Sequence, residues 1–123
     1  MKVIDKIIKK DRRHKHIMKK LWGTAERPRL IVFRSNKFIY VQLVNDDENK
    51  VISGMSTLSK EFKEANKGDS AKDIKAAELL GSIFAKKCKS IKVKTVVFDR
   101  NGYKYHGRIK ALADSLRKGG IKF

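Results

Sequence analysis

Residues 99 to 108 concentrate side chains that could do chemistry: Asp99, Arg100, Asn101, Gly102, Tyr103, Lys104, Tyr105, His106, Gly107 and Arg108. Two chemistries fit such a set. In the first, Asp99 at a strand end holds a divalent cation for phosphodiester cleavage, which needs several carboxylates converging on ions about 4 Å apart. In the second, the loop binds folded RNA: aromatic rings stack on unpaired bases while Arg100, Lys104 and Arg108 hold phosphates. Gly102 and Gly107 would let the backbone approach a phosphate. Gly107 also precedes a predicted helix, whose N-terminus favours anions.

The first chemistry lacks its partners. Asp46, Asp47, Glu78 and Asp114 fall in a turn or on predicted helices and form no supporting motif. Asp99 is then better read as a loop-fixing acid, bonding its own backbone in an Asx-type turn. His14, His16 and His106 are the only histidines, and no carboxylate or cysteine completes a metal set with them. The single cysteine, Cys88, excludes an internal disulfide and any cysteine cluster. His106 as a general base would need a partner and a pocket. The expectation is a non-enzymatic protein with no metal and no cofactor.

Charge points the same way. The 123 residues carry 31 Lys+Arg against 13 Asp+Glu, a formal net charge of +18. Self-repulsion of that size opposes compaction and is relieved by a polyanion. Nucleic acid is the first candidate, because cations that neutralise phosphates also release condensed counterions. An anionic membrane surface is the second, but the basic residues are spread over loops as well as the N-terminus. No apolar run is long enough to span a bilayer, and the N-terminus lacks the apolar region of a secretory signal. A cytoplasmic location is expected. Three basic regions stand out: the N-terminal stretch with Lys9, Lys10, Arg12, Arg13, His14 and Lys15; the turn Arg34, Ser35, Asn36, Lys37; and the 100–108 loop.

These regions need a scaffold, and the apolar pattern supplies one. Residues 1–28 read as a basic arm, net +7 over its first twenty residues, with Ile4, Ile7 and Ile8 at helical spacing. Such an arm is expected to be mobile until it orders against a polyanion. Trp22 is expected to pack at the edge of the domain. Residues 29–123 read as one domain. Arg29 to Arg34 is apolar on both faces, as a central strand should be. Phe38 to Val44 alternates, with Ile39, Val41 and Leu43 on one face. Val51 to Thr57 is a third strand, weakened by Gly54, and short loops make the three an antiparallel meander. Residues 58–69 show no pattern. Ser70 with Asp73 resembles a capping box, opening a helix whose stripe Ile74, Ala77, Gly81, Phe84 and Cys88 should face the core. Lys94 to Phe98 is a fourth strand, placed parallel by a right-handed crossover. Gly107 to Lys118 is a second helix, ended by Gly119 and Gly120, and the tail Ile121 to Phe123 is expected to return to the sheet edge. The fold class is α/β: a mixed four-stranded sheet, three strands antiparallel and one parallel, packed by two helices.

Several segments also resemble one family. Gly23 to Leu30, Val32 to Lys37, Ile39 to Gln42, Ser56 to Leu58, Ala76 to Gly81, Val97 to Arg108 and Lys110 to Asp114 resemble the bacterial form of large-subunit ribosomal protein eighteen, in the right order and at the right separations. The resemblance runs from Gly23 to the C-terminus. It implies an α/β sandwich related to the ribonuclease-H-like group, which would explain why Asp99 looks like a nuclease position without its companions. It implies binding to 5S rRNA and attachment of that RNA to the large-subunit rRNA at the central protuberance, beside two other 5S-binding ribosomal proteins. No membrane or small-molecule substrate is implied. Phosphate contacts are then expected from the arm and from Arg29, Arg34, Lys37, Arg100, Lys104 and Arg108. Ser35 and Asn36 could donate hydrogen bonds, with Tyr40 and Gln42 on the strand that follows.

Overall fold

The computed structural model describes residues 21–67 and 73–123. The basic stretch 1–20 and the proposed cap Ser70 lie outside them. Strands β1 (Arg29–Arg34), β2 (Ile39–Asn45) and β3 (Lys50–Ser56) form the expected antiparallel meander, and β4 (Val97–Asp99) joins β1 in parallel. The order across the sheet is β3-β2-β1-β4. β1 is thus a central strand, and its Leu30 and Val32 are fully buried.

Ile39, Val41 and Leu43 of β2 face the same side, as their alternation demands, and meet Phe62, Leu80, Phe84, Leu112 and Leu116 in one core. The helices lie on that face. Glycine at 54 does not interrupt β3; a Cβ there would come within 2.9 Å of the Tyr40 hydroxyl. The irregularity falls instead between Leu43 and Val44, where the register of β3 slips by one residue.

Three helices are described where the apolar pattern gives two. Residues 58–69, expected to be irregular, contain α1 (Lys60–Asn66). Its single core residue, Phe62, is fully buried. Seven residues with one apolar anchor show no periodicity, and a helix that short is held by packing rather than by propensity. α2 (Ile74–Ser90) begins later than the capping-box reading places it. Asp73 is its N-cap, accepting from the Ala76 amide at 2.9 Å, rather than the third residue of an earlier start. Ile74 therefore sits in the first turn, beyond the packed interface, and is exposed rather than core. The rest of the stripe is buried as expected.

α3 (Arg108–Lys118) packs across α2 at Gly81. A Cβ on Gly81 would come within 2.7 Å of Ser115 Cβ and 2.9 Å of the Leu112 carbonyl, which is backbone. Alanine is a better helix former by about 1 kcal/mol, yet forcing two helices apart costs about 1–3 kcal/mol. Gly81→Ala is therefore expected to lower the Tm, and a thermal melt followed by circular dichroism checks it. Gly119 and Gly120 end α3, with Gly120 at φ 99° and the Ile121 amide bonded back to Leu116.

β4 spans three residues rather than the five expected. Val93 and Val96 turn into the core, and Thr95 forms a parallel bridge with Lys122 of the C-terminal tail. The tail covers that sheet edge as expected: Ile121 is buried, and Phe123 stacks on Phe98 at 5.1 Å between centroids. Cys88 is fully enclosed, and burial pushes its thiol up to about 11. The nucleophile is the thiolate. At pH 8 a thiol reagent is thus expected to modify Cys88 only as fast as the protein opens. Stoichiometric labelling within mixing time would contradict the buried placement.

Candidate nucleic-acid interface

Parallel pairing of β1 with β4 decides where this site lies. The C-terminal ends of both strands leave the sheet on the same side, so the 35–38 turn and the 100–107 loop emerge together. The turn is held by Ser35, whose hydroxyl accepts from the amides of Lys37 and Phe38 at 3.2 Å each. The loop starts as the sequence indicates. Asp99 Oδ1 accepts from the Asn101 amide at 2.8 Å, an Asx-type turn, and Asn101 and Gly102 follow at φ 56° and 77°.

The two loops are then tied across 69 to 73 residues of chain. The Tyr103 hydroxyl donates to the Arg34 carbonyl and accepts from its amide, both at 3.3 Å. The Arg34 guanidinium lies over the Tyr103 ring, 4.7 Å from its centroid. Arg108 Nη2 donates to the Ser35 carbonyl at 2.8 Å. Around these contacts opens a cleft of about 930 Å³ between the loop and the start of α2. Arg34, Lys75, Lys104 and Arg108 place cations on it, with Tyr103, His106, Ile74 and Ile109 between them and Gly102 and Gly107 supplying backbone.

Arg29 has a different task. Its guanidinium is buried between two carboxylates: Nε and Nη2 donate to Asp46 at 3.0 and 3.2 Å, and Nη1 donates to Asp99 Oδ2 at 2.8 Å. Burial opposes the charged guanidinium, but the hydrogen bonds it donates to Asp46 and Asp99, with their negative charges, outweigh that and raise its pKa. Burial likewise works to raise Asp46. Its hydrogen bonds from Arg29 and from the Gly23 amide prevail and hold it below the usual carboxylate range. Arg29, expected among the phosphate contacts, is thereby committed inside the protein. The acidic turn after β2, with Asp46 and Asp47, holds the chain entering β1. The Gly23 amide donates to Asp46 Oδ2 at 2.7 Å and the Gly23 carbonyl accepts from the Asp46 amide at 2.8 Å, and Trp22, though exposed, donates its indole N–H to Asp47 at 2.7 Å.

Family comparison fixes what kind of protein carries this arrangement. A family profile described as "Ribosomal L18 of archaea, bacteria, mitoch. and chloroplast" matches residues 4–123. The chain belongs to the ribosomal L18 family. It is similar to the large ribosomal subunit protein uL18 of Myxococcus xanthus, at 49% identity over 91% of this chain and 92% of the relative. With uL18 of Sorangium cellulosum the identity is 47% over 96% and 98%, and with that of the aster yellows witches'-broom phytoplasma 50% over 91% and 90%. Ribosomal L18 proteins are structural and non-enzymatic, and the nuclease reading of Asp99 ends here. Among the described residues no group of His, Cys, Asp and Glu is placed to hold a metal. No helix among them is long and apolar enough to cross a membrane.

The remaining candidate residues divide by position. Asn36, Lys37, Arg100, Lys104 and His106 are exposed on or beside the two loops. Tyr105 turns away: its hydroxyl accepts from Arg117 at 3.1 Å on α3. Gly102 lines the cleft but is buried, so Gly107 is the more accessible backbone of the two. Tyr40 and Gln42, bonded to each other at 2.9 Å, are half-buried on the sheet face opposite the helices and are not brought to the cleft. Lys9, Lys10, Arg12, Arg13, His14 and Lys15 lie outside the described residues. Ile74 and Lys75 belong to the cleft and are absent from the sequence-based set. Taking Asp73 as the N-cap would have placed both in the exposed first turn of α2.

Proposed function

We propose that this L18-family chain binds 5S rRNA and helps attach it to the large-subunit rRNA at the central protuberance, alongside neighbouring 5S-binding ribosomal proteins. The observation that carries the reading is the joining of two basic loops, by Tyr103 to Arg34 and by Arg108 to Ser35, into one surface with few carboxylates. Such a surface is set before RNA arrives, so little ordering is needed on binding. Family membership and the +18 charge support the same partner. The exposed cations Arg34, Lys37, Arg100 and Lys104, with Arg108, would contact phosphates, joined by Asn36 and Asn101 and by the N-terminal arm.

The test compares 5S rRNA with a control RNA of matched size and shape across a salt series. Tighter binding to 5S rRNA, falling linearly in log affinity against log salt, is the expected result. Equal affinity for both RNAs at every salt concentration would reduce the surface to a non-specific polyanion binder.

A further inference from the structure

Asn101 is the one asparagine in the chain that precedes a glycine; the others precede Lys37, Asp46, Lys50 and Lys67. That pairing has a chemistry of its own. The backbone nitrogen after an asparagine can attack the side-chain amide carbon, and a side chain on the following residue hinders the approach. Glycine offers no such hindrance. Among the described residues no hydrogen bond holds the Asn101 carboxamide or the Gly102 amide. Asn101 is half-exposed. Asn36 and Asn49 are more exposed, yet each is followed by a lysine.

The fold sets when the attack can occur. The Tyr103 amide donates to the Arg100 carbonyl at 3.0 Å, and Asn101 and Gly102 stand at φ 56° and 77°. Residues 100–103 thus form a type I′ turn, for which Asn-Gly is the preferred pair. In that turn the asparagine ψ is about +30°, which swings the Gly102 nitrogen away from the Asn101 side chain. Ring closure therefore waits for the turn to open. The opening is local, because the turn is closed by that bond and by the 2.8 Å bond from the Asn101 amide to Asp99. RNA held across the loop opposes it.

We propose that Asn101 is a site of spontaneous deamidation that inactivates the 99–108 loop of the unbound chain. The Gly102 nitrogen bonds to Asn101 Cγ, the Cγ–Nδ2 bond breaks, and ammonia leaves with the proton the Gly102 nitrogen gives up. Water then opens the five-membered imide at either carbonyl, yielding aspartate or isoaspartate. One water is consumed and one ammonia released, with no oxidation or reduction. Both products put a carboxylate between Arg100 and Lys104. Isoaspartate also adds a carbon to the backbone of a two-residue turn. The loss of function rests on the RNA-binding reading above; the reaction does not.

The full chain, incubated at mildly alkaline pH with and without 5S rRNA, tests it. Peptide mass spectrometry and enzymatic methylation of isoaspartate locate the product. It is expected at Asn101 and not at Asn36 or Asn49, forming faster in urea and about tenfold slower when about nine-tenths of the chains are bound. Asn101→Asp should bind 5S rRNA about fivefold more weakly. Asn101→Gln, neutral and slow to cyclise because its ring would hold six members, should stay intact and keep its affinity. An Asn101 that survives in the folded chain while the urea-unfolded chain reacts, or equal reaction at Asn36 and Asn49, overturns the site. If fresh and deamidated chains bind 5S rRNA equally well, the inactivation falls and the RNA-binding reading stands. If neither binds while Asn101 reacts selectively, the RNA-binding reading falls and the reaction site stands.

Discussion

Replacing Arg29 with Met is expected to lower the unfolding free energy by about 3–5 kcal/mol, the usual result of removing one partner from a buried ion pair. The reason lies in what remains. Asp99 is fully buried and Asp46 partly so, its side chain 10% exposed, and both lose the guanidinium that compensates them. Methionine fills much of the volume but donates no hydrogen bond to either carboxylate. For a domain whose total stability is on the order of 5–15 kcal/mol, such a loss approaches unfolding. Urea denaturation of the wild type and the variant measures it. Adding Asp99→Asn to Arg29→Met should recover part of the loss, because a buried neutral amide is easier to accommodate than a buried anion. A change below 1 kcal/mol in the single variant would mean that the triad contributes little.

Asp46 of this triad also contributes to the acid limb of stability. Asp46 has a folded-state pKa below its unfolded value. Its contribution is therefore fully present above the ordinary carboxylate pKa of about 4 and is lost as pH falls through the lower folded value. Asp46→Asn should flatten the fall in stability below about pH 4, as read from urea midpoints at successive pH values.

Arg108→Ala is expected to weaken RNA binding by about 1–3 kcal/mol, roughly five- to 150-fold. Two losses combine. The cation at the cleft disappears, and so does the 2.8 Å bond that fixes the loop to the Ser35 carbonyl. Arg108→Lys separates them. Lysine keeps the charge but not the planar fork, so it cannot hold the carbonyl and present a second nitrogen at once. An intermediate loss for lysine, with the salt slope near that of wild type, is the predicted pattern. Arg100→Ala, at an exposed position on the same loop, should cost less. If neither Arg108→Ala nor Arg100→Ala changes the affinity, the 99–108 loop is not the contact surface.

Alternation and β-branching in the sequence determine the meander, because a half-buried sheet leaves only one workable phase for Ile39, Val41 and Leu43. Helix punctuation determines α3, where Gly107 and the Gly119–Gly120 pair stand at its two ends. The Asx-type role of Asp99 is likewise local, spanning two residues, and is legible without a fold. Composition alone indicates a polyanionic partner. What lies outside that reach is long-range. α1 is invisible because Phe62 acts only once a core exists to receive it. The start of α2 shifts to Asp73 because capping competes between neighbouring candidates and packing selects the winner. Arg29 shows the limit best. In the sequence it is one cation among 31, a natural phosphate contact. Parallel pairing of β1 with β4, together with the return of β2, brings Asp99 and Asp46 to it from 70 and 17 residues away. A charge that is desolvated and paired is lost to any ligand, and only tertiary structure determines which charges those are.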